Sequence, residues 1–161
     1  MNWTLAGILA AVLAGGLSAG EMGRQFAASV EKNKALQSPY ANDLGPDAVP
    51  AEALQGYPDD VRKGYDLTRV KCAKCHSAAR PLNSEFTDPD VWQRYVKRMM
   101  AKPGCDIPPA EGKQIWKFLV HDSKVRKTGA NEAKWAAQRK RLLAEFRQKY
   151  PARYHELYEK N

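Results

Sequence analysis

Two of the three cysteines in this 161-residue chain stand three positions apart, and a histidine directly follows the second. The segment Cys72-Ala73-Lys74-Cys75-His76, called the CAKCH motif below, narrows the choice of fold more than any other part of the sequence. Three cysteines are too few for a fold held together by disulfides. The motif therefore predicts a body built around a bound group rather than a disulfide scaffold.

The spacing of the CAKCH motif matches covalent attachment of haem c. If the motif ends a helix, the thiols of Cys72 and Cys75 can reach the two vinyl groups of one porphyrin edge and form thioether bonds. The imidazole of His76 then lies under the iron and can bind it. We therefore predict one covalently attached haem c, with Cys72 and Cys75 as its attachment points and His76 as an axial ligand.

Two other uses of the motif are weaker alternatives. A zinc site made from Cys72, Cys75 and His76 needs a fourth ligand, for which Cys105, His121 or His155 could serve. Adjacent cysteine and histidine residues make poor tetrahedral geometry together. A redox-active dithiol of the thioredoxin type needs a strand before the motif, and the sequence shows none.

Residues around the motif resemble the monohaem class I c-type cytochromes. Gly64 and Tyr65 lead into the motif as a small residue and an aromatic do in that family, and Trp116 and Phe118 lie in a later apolar helix. The resemblance covers about residues 57–122. It implies an all-α fold of three to five helices round one haem, with the first and last helices crossing where an aromatic packs on the small residue.

The resemblance also implies a second axial ligand, usually a methionine on a later segment. Met99 is the leading candidate, because Trp92 stands seven residues before it, as in a subset of the family. Met99 follows His76 by only 23 residues, which is closer than usual. Met100 is the first alternative and His121 the second, and an iron without a second protein ligand also stays open.

Three further expectations concern the surroundings of the haem. Arg80, together with Lys97 or Arg98, is a candidate partner for the haem propionates. Pro81 is expected on the His76 side, where a backbone carbonyl commonly fixes the free imidazole N–H. Cys105 is the third cysteine and is not needed for haem attachment. We expect a free loop thiol there, with an intermolecular disulfide or lipid attachment as alternatives.

Helical periodicity dominates the sequence after residue 57, and no stretch alternates long enough for a sheet. Helices are predicted over residues 59–70, 89–101, 109–123 and 133–150, with shorter ones near 22–35, near 50–55 and after Pro151. Thr87-Asp88-Pro89 supplies a capping side chain and a first-turn proline. The fold class is therefore all-α.

Four segments are predicted along the chain. Residues 1–20 are apolar and form a signal peptide or an N-terminal membrane anchor. Residues 21–56 form an irregular tether, residues 57–122 the haem domain, and residues 123–161 a basic helical extension. Since haem c is attached outside the bacterial cytoplasmic membrane, we expect the body on its periplasmic side, either anchored or released.

The charge is concentrated in the C-terminal extension, the basic tail. Residues 123–161 hold 11 Lys and Arg against four Glu, a net charge of +7, while the whole chain has +8. The tail either packs Trp135, Leu142 and Phe146 on its own body, docks to an acidic partner protein, or lies on anionic lipid. Nucleic-acid binding is not expected in that compartment.

These features predict an electron-transfer protein rather than an enzyme. It would exchange single electrons with a membrane redox complex. One alternative is a fixed cytochrome c subunit of a respiratory or photosynthetic complex, with the tail as a scaffold. A haem enzyme or gas sensor with an open iron site is a further alternative. It is disfavoured because 85 residues follow His76, whereas the CxxCH motif of a cytochrome c′-like bundle lies near the C-terminus.

Overall fold

The computed structural model describes residues 43–160, which form helices and contain no strand. The helices are α1 (Ala51–Gln55), α2 (Asp59–Leu67), α3 (Ala79–Leu82), α4 (Pro89–Met100), α5 (Pro109–Lys127), α6 (Glu132–Lys149) and α7 (Pro151–Tyr154). Two π-helical turns extend α2 and α7, over Thr68–Cys72 and His155–Glu159, and a 3₁₀ turn, Gly129–Asn131, precedes α6. The all-α prediction is confirmed for this part of the chain.

Several expectations concern the first part of the chain. The apolar segment 1–20 and the short helix near residues 22–35 lie outside the described residues. Among the helices of residues 43–160, none combines the length and the apolar character needed to cross a membrane.

The N-terminal end of α4 shows how the sequence places a helix. Asp88 has extended backbone angles, and its side chain accepts hydrogen bonds from the backbone N–H groups of Asp90 at 2.8 Å and Val91 at 2.9 Å. Pro89 follows in the first turn, where a missing N–H costs nothing. This capping confirms the predicted start of the helix and fixes the face that α4 turns towards the core.

Helices α2 and α5 pack on each other at the centre of the body. A Cβ atom on Gly64 would overlap the carbonyl oxygen of Gln114 and come within 2.7 Å of Phe118 Cβ. Phe118 is fully buried, and its ring lies 5.3 Å from that of Tyr65. The predicted packing of an aromatic on a small residue is thus present. Trp116 instead donates its indole N–H to the Pro89 carbonyl at 3.0 Å.

Replacing Gly64 with alanine is expected to destabilise the body. The added methyl group would overlap the backbone of α5, which cannot change rotamer to make room as a side chain can. We expect a loss of about 1–3 kcal/mol in the free energy of unfolding, measured by denaturant titration. Gly56→Ala is the matched control, since its Cβ would meet only the Ala53 carbonyl at 3.9 Å. Equal stability of the two variants would contradict the close approach of α2 and α5.

Residues 43–50 belong to the body, although the sequence placed them in a tether. Leu44 and Val49 are buried. Asn83 is also buried, and its side-chain amide donates to the carbonyls of Leu44 at 2.8 Å and Pro46 at 2.7 Å. The segment is irregular, as predicted. The sequence did not predict its burial, because Leu44 and Val49 are five positions apart and so match neither a helical nor a strand periodicity.

Helix α5 continues one turn past its predicted end near Ser123, to Lys127. Lys127 is 2 % exposed, and its ammonium group lies 5.3 Å from the Trp92 ring and 5.1 Å from the Trp135 ring. It also donates to the Ser84 carbonyl at 3.0 Å. Burial lowers the pKa of Lys127 to about 7. Lys127, a basic residue near the start of the tail, is therefore inside the body.

Helix α6 packs its apolar face on the body. Trp135 is 7 % exposed, and the Arg126 guanidinium lies 5.3 Å from its ring. Leu142 and Phe146 form a second cluster with Leu44. Of the three uses considered for the tail, packing on its own body accounts for these aromatic and aliphatic side chains, and the outward face of α6 remains basic.

Candidate functional site

The CAKCH motif begins at the C-terminal end of the long helical segment formed by α2 and its π-helical turn. Cys72 is the last residue of that turn and is buried, Cys75 is exposed, and His76 is 8 % exposed. The local chain is thus the helix end that the spacing predicted. One thiol and the imidazole face the interior of the body, and the second thiol is accessible.

The hydrogen bonding of His76 fixes its chemical state. Its Nδ1 lies 2.9 Å from the Ser77 carbonyl oxygen. Because a carbonyl oxygen only accepts, Nδ1 has the proton and Nε2 of the neutral ring keeps its lone pair. Burial lowers the pKa of His76 and favours that neutral ring, while the hydrogen bond to Ser77 acts in the opposite direction without overcoming the effect of burial. This is the tautomer that an iron-binding imidazole requires.

The carbonyl that orients the imidazole was expected near Pro81. It belongs to Ser77, the residue directly after His76. Pro81 is buried in α3. Ser77 also accepts, through its hydroxyl, a hydrogen bond from the backbone N–H of Ala79 at 3.0 Å, which starts the turn into α3. The short helix therefore holds the segment that orients His76.

Tyr95 is a site residue that sequence reasoning missed. Its hydroxyl is buried and has no hydrogen-bond partner among residues 43–160. Burial raises the pKa of Tyr95, and the thiol of Cys72 and the charges of Arg80 and Arg98 also act on it. The hydroxyl is therefore an unused donor close to the motif. Its position four residues before Met99, on one helix face, was the available signal.

A cavity of about 230 Å³ lies between α4, the α3 region and the tail. Tyr95, Arg80 and Arg98 are among the residues that line it. Arg98 lies 5.7 Å from the Tyr95 ring, and Arg80 donates to Asp43 at 2.7 and 3.1 Å. A phenol and a guanidinium beside a cavity suit a carboxylate such as a haem propionate. Lys97 lines a different, apolar groove between α4 and α5.

The two methionines of α4 have different surroundings. Met100 packs on α5, where its sulfur would lie 2.5 Å from a Cβ atom placed on Gly112. It also lines the groove between α4 and α5. Met99 is half-buried against the main core and shares the helix face of Tyr95. Met99 is therefore the methionine on the Tyr95 side of α4, and Met100 is the one on the α5 side.

The remaining histidines have other contacts. His121 lies edge-on to the Tyr57 ring at 4.8 Å, and exposed His155 lies 2.9 Å from Glu159. Within residues 43–160, which include every cysteine and histidine of the chain, no group of three or more His, Cys, Asp or Glu side chains is placed to hold a metal ion. The geometry therefore gives the zinc alternative no support.

The residues near the motif fit a covalently attached haem by the chemistry of their donors. Two thiols lie at a helix end, an imidazole has its Nε2 lone pair available, and a buried phenol has no hydrogen-bond partner within residues 43–160. No protein-family model, curated protein or solved structure matches the chain.

Proposed function

We propose that this chain is an exported monohaem c-type cytochrome that exchanges single electrons with a membrane redox complex. The observation that supports it most is His76, buried directly after two helix-end thiols and held by the Ser77 carbonyl with Nε2 available. Haem c, when bound, supplies an iron that alternates between Fe(II) and Fe(III). A protein that only stores and passes an electron needs no general acid, base or nucleophile.

Each residue near the motif has a role in holding the group. Cys72 and Cys75 would tether the porphyrin through two thioether bonds. His76 would bind the iron through Nε2, while its Nδ1–H bond to Ser77 keeps the ring from rotating. Met99 would offer its thioether sulfur from the side of α4. Tyr95 and Arg98, with Arg80, would receive the propionate carboxylates and so orient the porphyrin.

The outward face of α6 is the proposed docking surface for an acidic partner. Lys134, Lys140 and Arg141 are exposed on it, while Trp135 and Leu142 on its other face are buried. The net charge of +7 in residues 123–161 favours a partner of opposite sign and speeds encounter at low salt. Residues 1–20 would tether the protein to the same membrane.

Electron exchange with native membranes tests the proposed role. The reduced, haem-loaded protein should be reoxidised by those membranes with one electron per chain, followed by visible absorbance. Replacing Lys134, Lys140 and Arg141 with glutamate should slow the exchange at low salt by about tenfold or more, because steering contributes about 10–10³-fold to association rates.

The control variant applies the same change of charge to Lys63, Lys97 and Lys113, which are exposed on α2, α4 and α5. It should slow the exchange less than the tail variant. A chain that neither accepts nor returns an electron would contradict the electron-carrier role. Equal slowing by the two variants would contradict docking through α6.

A further inference from the structure

The basic tail forms part of the wall of the cavity that Tyr95 lines. Arg139 of α6, together with Leu157 and Tyr158 near the end of the chain, lines this cavity alongside Tyr95 and side chains of the α3 region. The sequence assigned the tail to an extension outside the haem domain. In the structure the tail reaches the cavity that is proposed to receive a haem propionate.

Two buried hydrogen-bond donors at this cavity have no acceptor. The Tyr95 hydroxyl and the Arg139 Nε–H are both buried, and neither has a hydrogen-bond partner among residues 43–160. Tyr95 is 7 % exposed, and the side chain of Arg139 is 19 % exposed. A buried donor without an acceptor destabilises a fold. Two such donors, one from α4 and one from α6, therefore point to a bound group that accepts hydrogen bonds.

The charges at the cavity favour a ligand with one negative charge. Three guanidinium groups line it, those of Arg80, Arg98 and Arg139, against the carboxylates of Asp43 and Glu85. Asp43 pairs with Arg80 at 2.7 Å, and Glu85 pairs with Arg139 at 3.2 Å. Asp43 Oδ2 has no hydrogen bond, but it belongs to the carboxylate that Arg80 already neutralises. One positive charge remains, and a single carboxylate would balance it.

We propose that Arg139 donates a hydrogen bond to the carboxylate of one haem propionate, so that the tail helix α6 is part of the haem site. The inference rests on the proposed function, because a propionate reaches this cavity only if haem is attached at the CAKCH motif. Tyr95 donates to the same carboxylate from α4. The ligand thus satisfies both unused donors and joins the tail to the body.

A guanidinium in this position affects the iron through its charge. It favours the ionised form of the propionate, and it disfavours the extra positive charge that the iron has as Fe(III). Arg139 therefore raises the reduction potential, and its ion pair with Glu85 limits that effect. Because α6 also presents the proposed docking surface, a partner bound there would contact the helix that holds the propionate.

Two variants of the haem-loaded full chain test this contact by the pH dependence of the reduction potential. Arg139→Gln and Glu85→Gln break the same ion pair but remove opposite charges. Arg139→Gln should raise the proton affinity of the propionate about tenfold, because a neighbouring opposite charge lowers a carboxyl pKa by about one unit or more. It should also lower the potential at alkaline pH, where the carboxylate is ionised. Glu85→Gln should shift both quantities in the opposite direction.

Arg147→Gln is the matched control. It removes the same charge from the same helix, and Arg147 pairs with Glu159 at 3.2 Å without lining this cavity. It should leave the potential and the proton affinity close to those of the wild-type protein. Arg139→Lys keeps the charge and should restore most of the potential. The propionate bending band of the resonance Raman spectrum, which responds to hydrogen bonds on the carboxylate, should shift in Arg139→Gln and not in Arg147→Gln.

The outcomes separate this inference from the proposed function. Attached haem with an unchanged propionate band in Arg139→Gln, or with an equal shift in Arg147→Gln, would overturn only the inference. Shifts of the same sign in Arg139→Gln and Glu85→Gln would also overturn it, because loss of the ion pair alone would then explain both. Absence of covalent haem from the wild-type chain would overturn the proposed function, and the inference with it.

Discussion

Replacing Trp135 with alanine should lower the free energy of unfolding of the whole body by about 3–5 kcal/mol, the usual effect of truncating a buried large aromatic. Trp135 is 7 % exposed, and its ring faces the Lys127 ammonium at 5.1 Å and the Arg126 guanidinium at 5.3 Å. Its loss leaves a cavity beside a nearly inaccessible lysine. Because Lys127 also contacts Trp92, the damage should reach α4.

Denaturant unfolding of the haem-loaded protein, followed by both far-UV circular dichroism and haem absorbance, measures this effect. Val125→Ala is the control, since Val125 is 39 % exposed on the last turns of α5 and should change stability by less than about 0.5 kcal/mol. The two probes should unfold together in the Trp135 variant. A loss no larger than that of the control would show that the tail is not part of the cooperative body.

Met99→Ala should have the largest effect on the iron without breaking the covalent attachment. A thioether sulfur favours Fe(II), so its removal should lower the reduction potential, abolish the weak far-red band of sulfur-ligated Fe(III) haem, and allow carbon monoxide to bind Fe(II). Spectra of the oxidised, reduced and carbon monoxide-treated protein measure these three changes.

Met100→Ala is the matched control on the same helix. Because Met100 packs on Gly112, its loss should reduce stability and leave the far-red band in place. A band lost in Met100→Ala and kept in Met99→Ala would reverse the ligand assignment. A wild-type protein that lacks the band and whose Fe(II) does not bind carbon monoxide would make His121 the leading candidate, despite its contact with Tyr57.

Local sequence signals predicted the helices well. Asp88 and Pro89 marked the start of α4, Pro108 and Pro109 the start of α5, and Pro151 the end of α6, because caps and prolines act within one turn. The predicted helix over residues 59–70 likewise placed Cys72 and His76 at a helix end. Their spacing in the sequence then indicated which groups they could reach together.

Tertiary contacts account for what the sequence did not reveal. Lys127 is one of 11 basic residues in the tail, and only the positions of Trp92 and Trp135 make it buried. Leu44 belongs to a core formed with Leu142 and Phe146, about one hundred residues later. Tyr95 belongs to no sequence motif, and only the placement of its neighbours reveals that its hydroxyl has no hydrogen-bond partner within residues 43–160.

Intact mass spectrometry of the denatured full chain, made in cells that attach haem, shows whether haem is bound covalently. We expect a chain heavier by one haem, and acid acetone should leave the haem on the protein. Cys72→Ala or Cys75→Ala should impair attachment, whereas Cys105→Ser should keep it. A wild-type chain at its bare polypeptide mass, or haem that extracts into acid acetone, would contradict the assignment of the CAKCH motif.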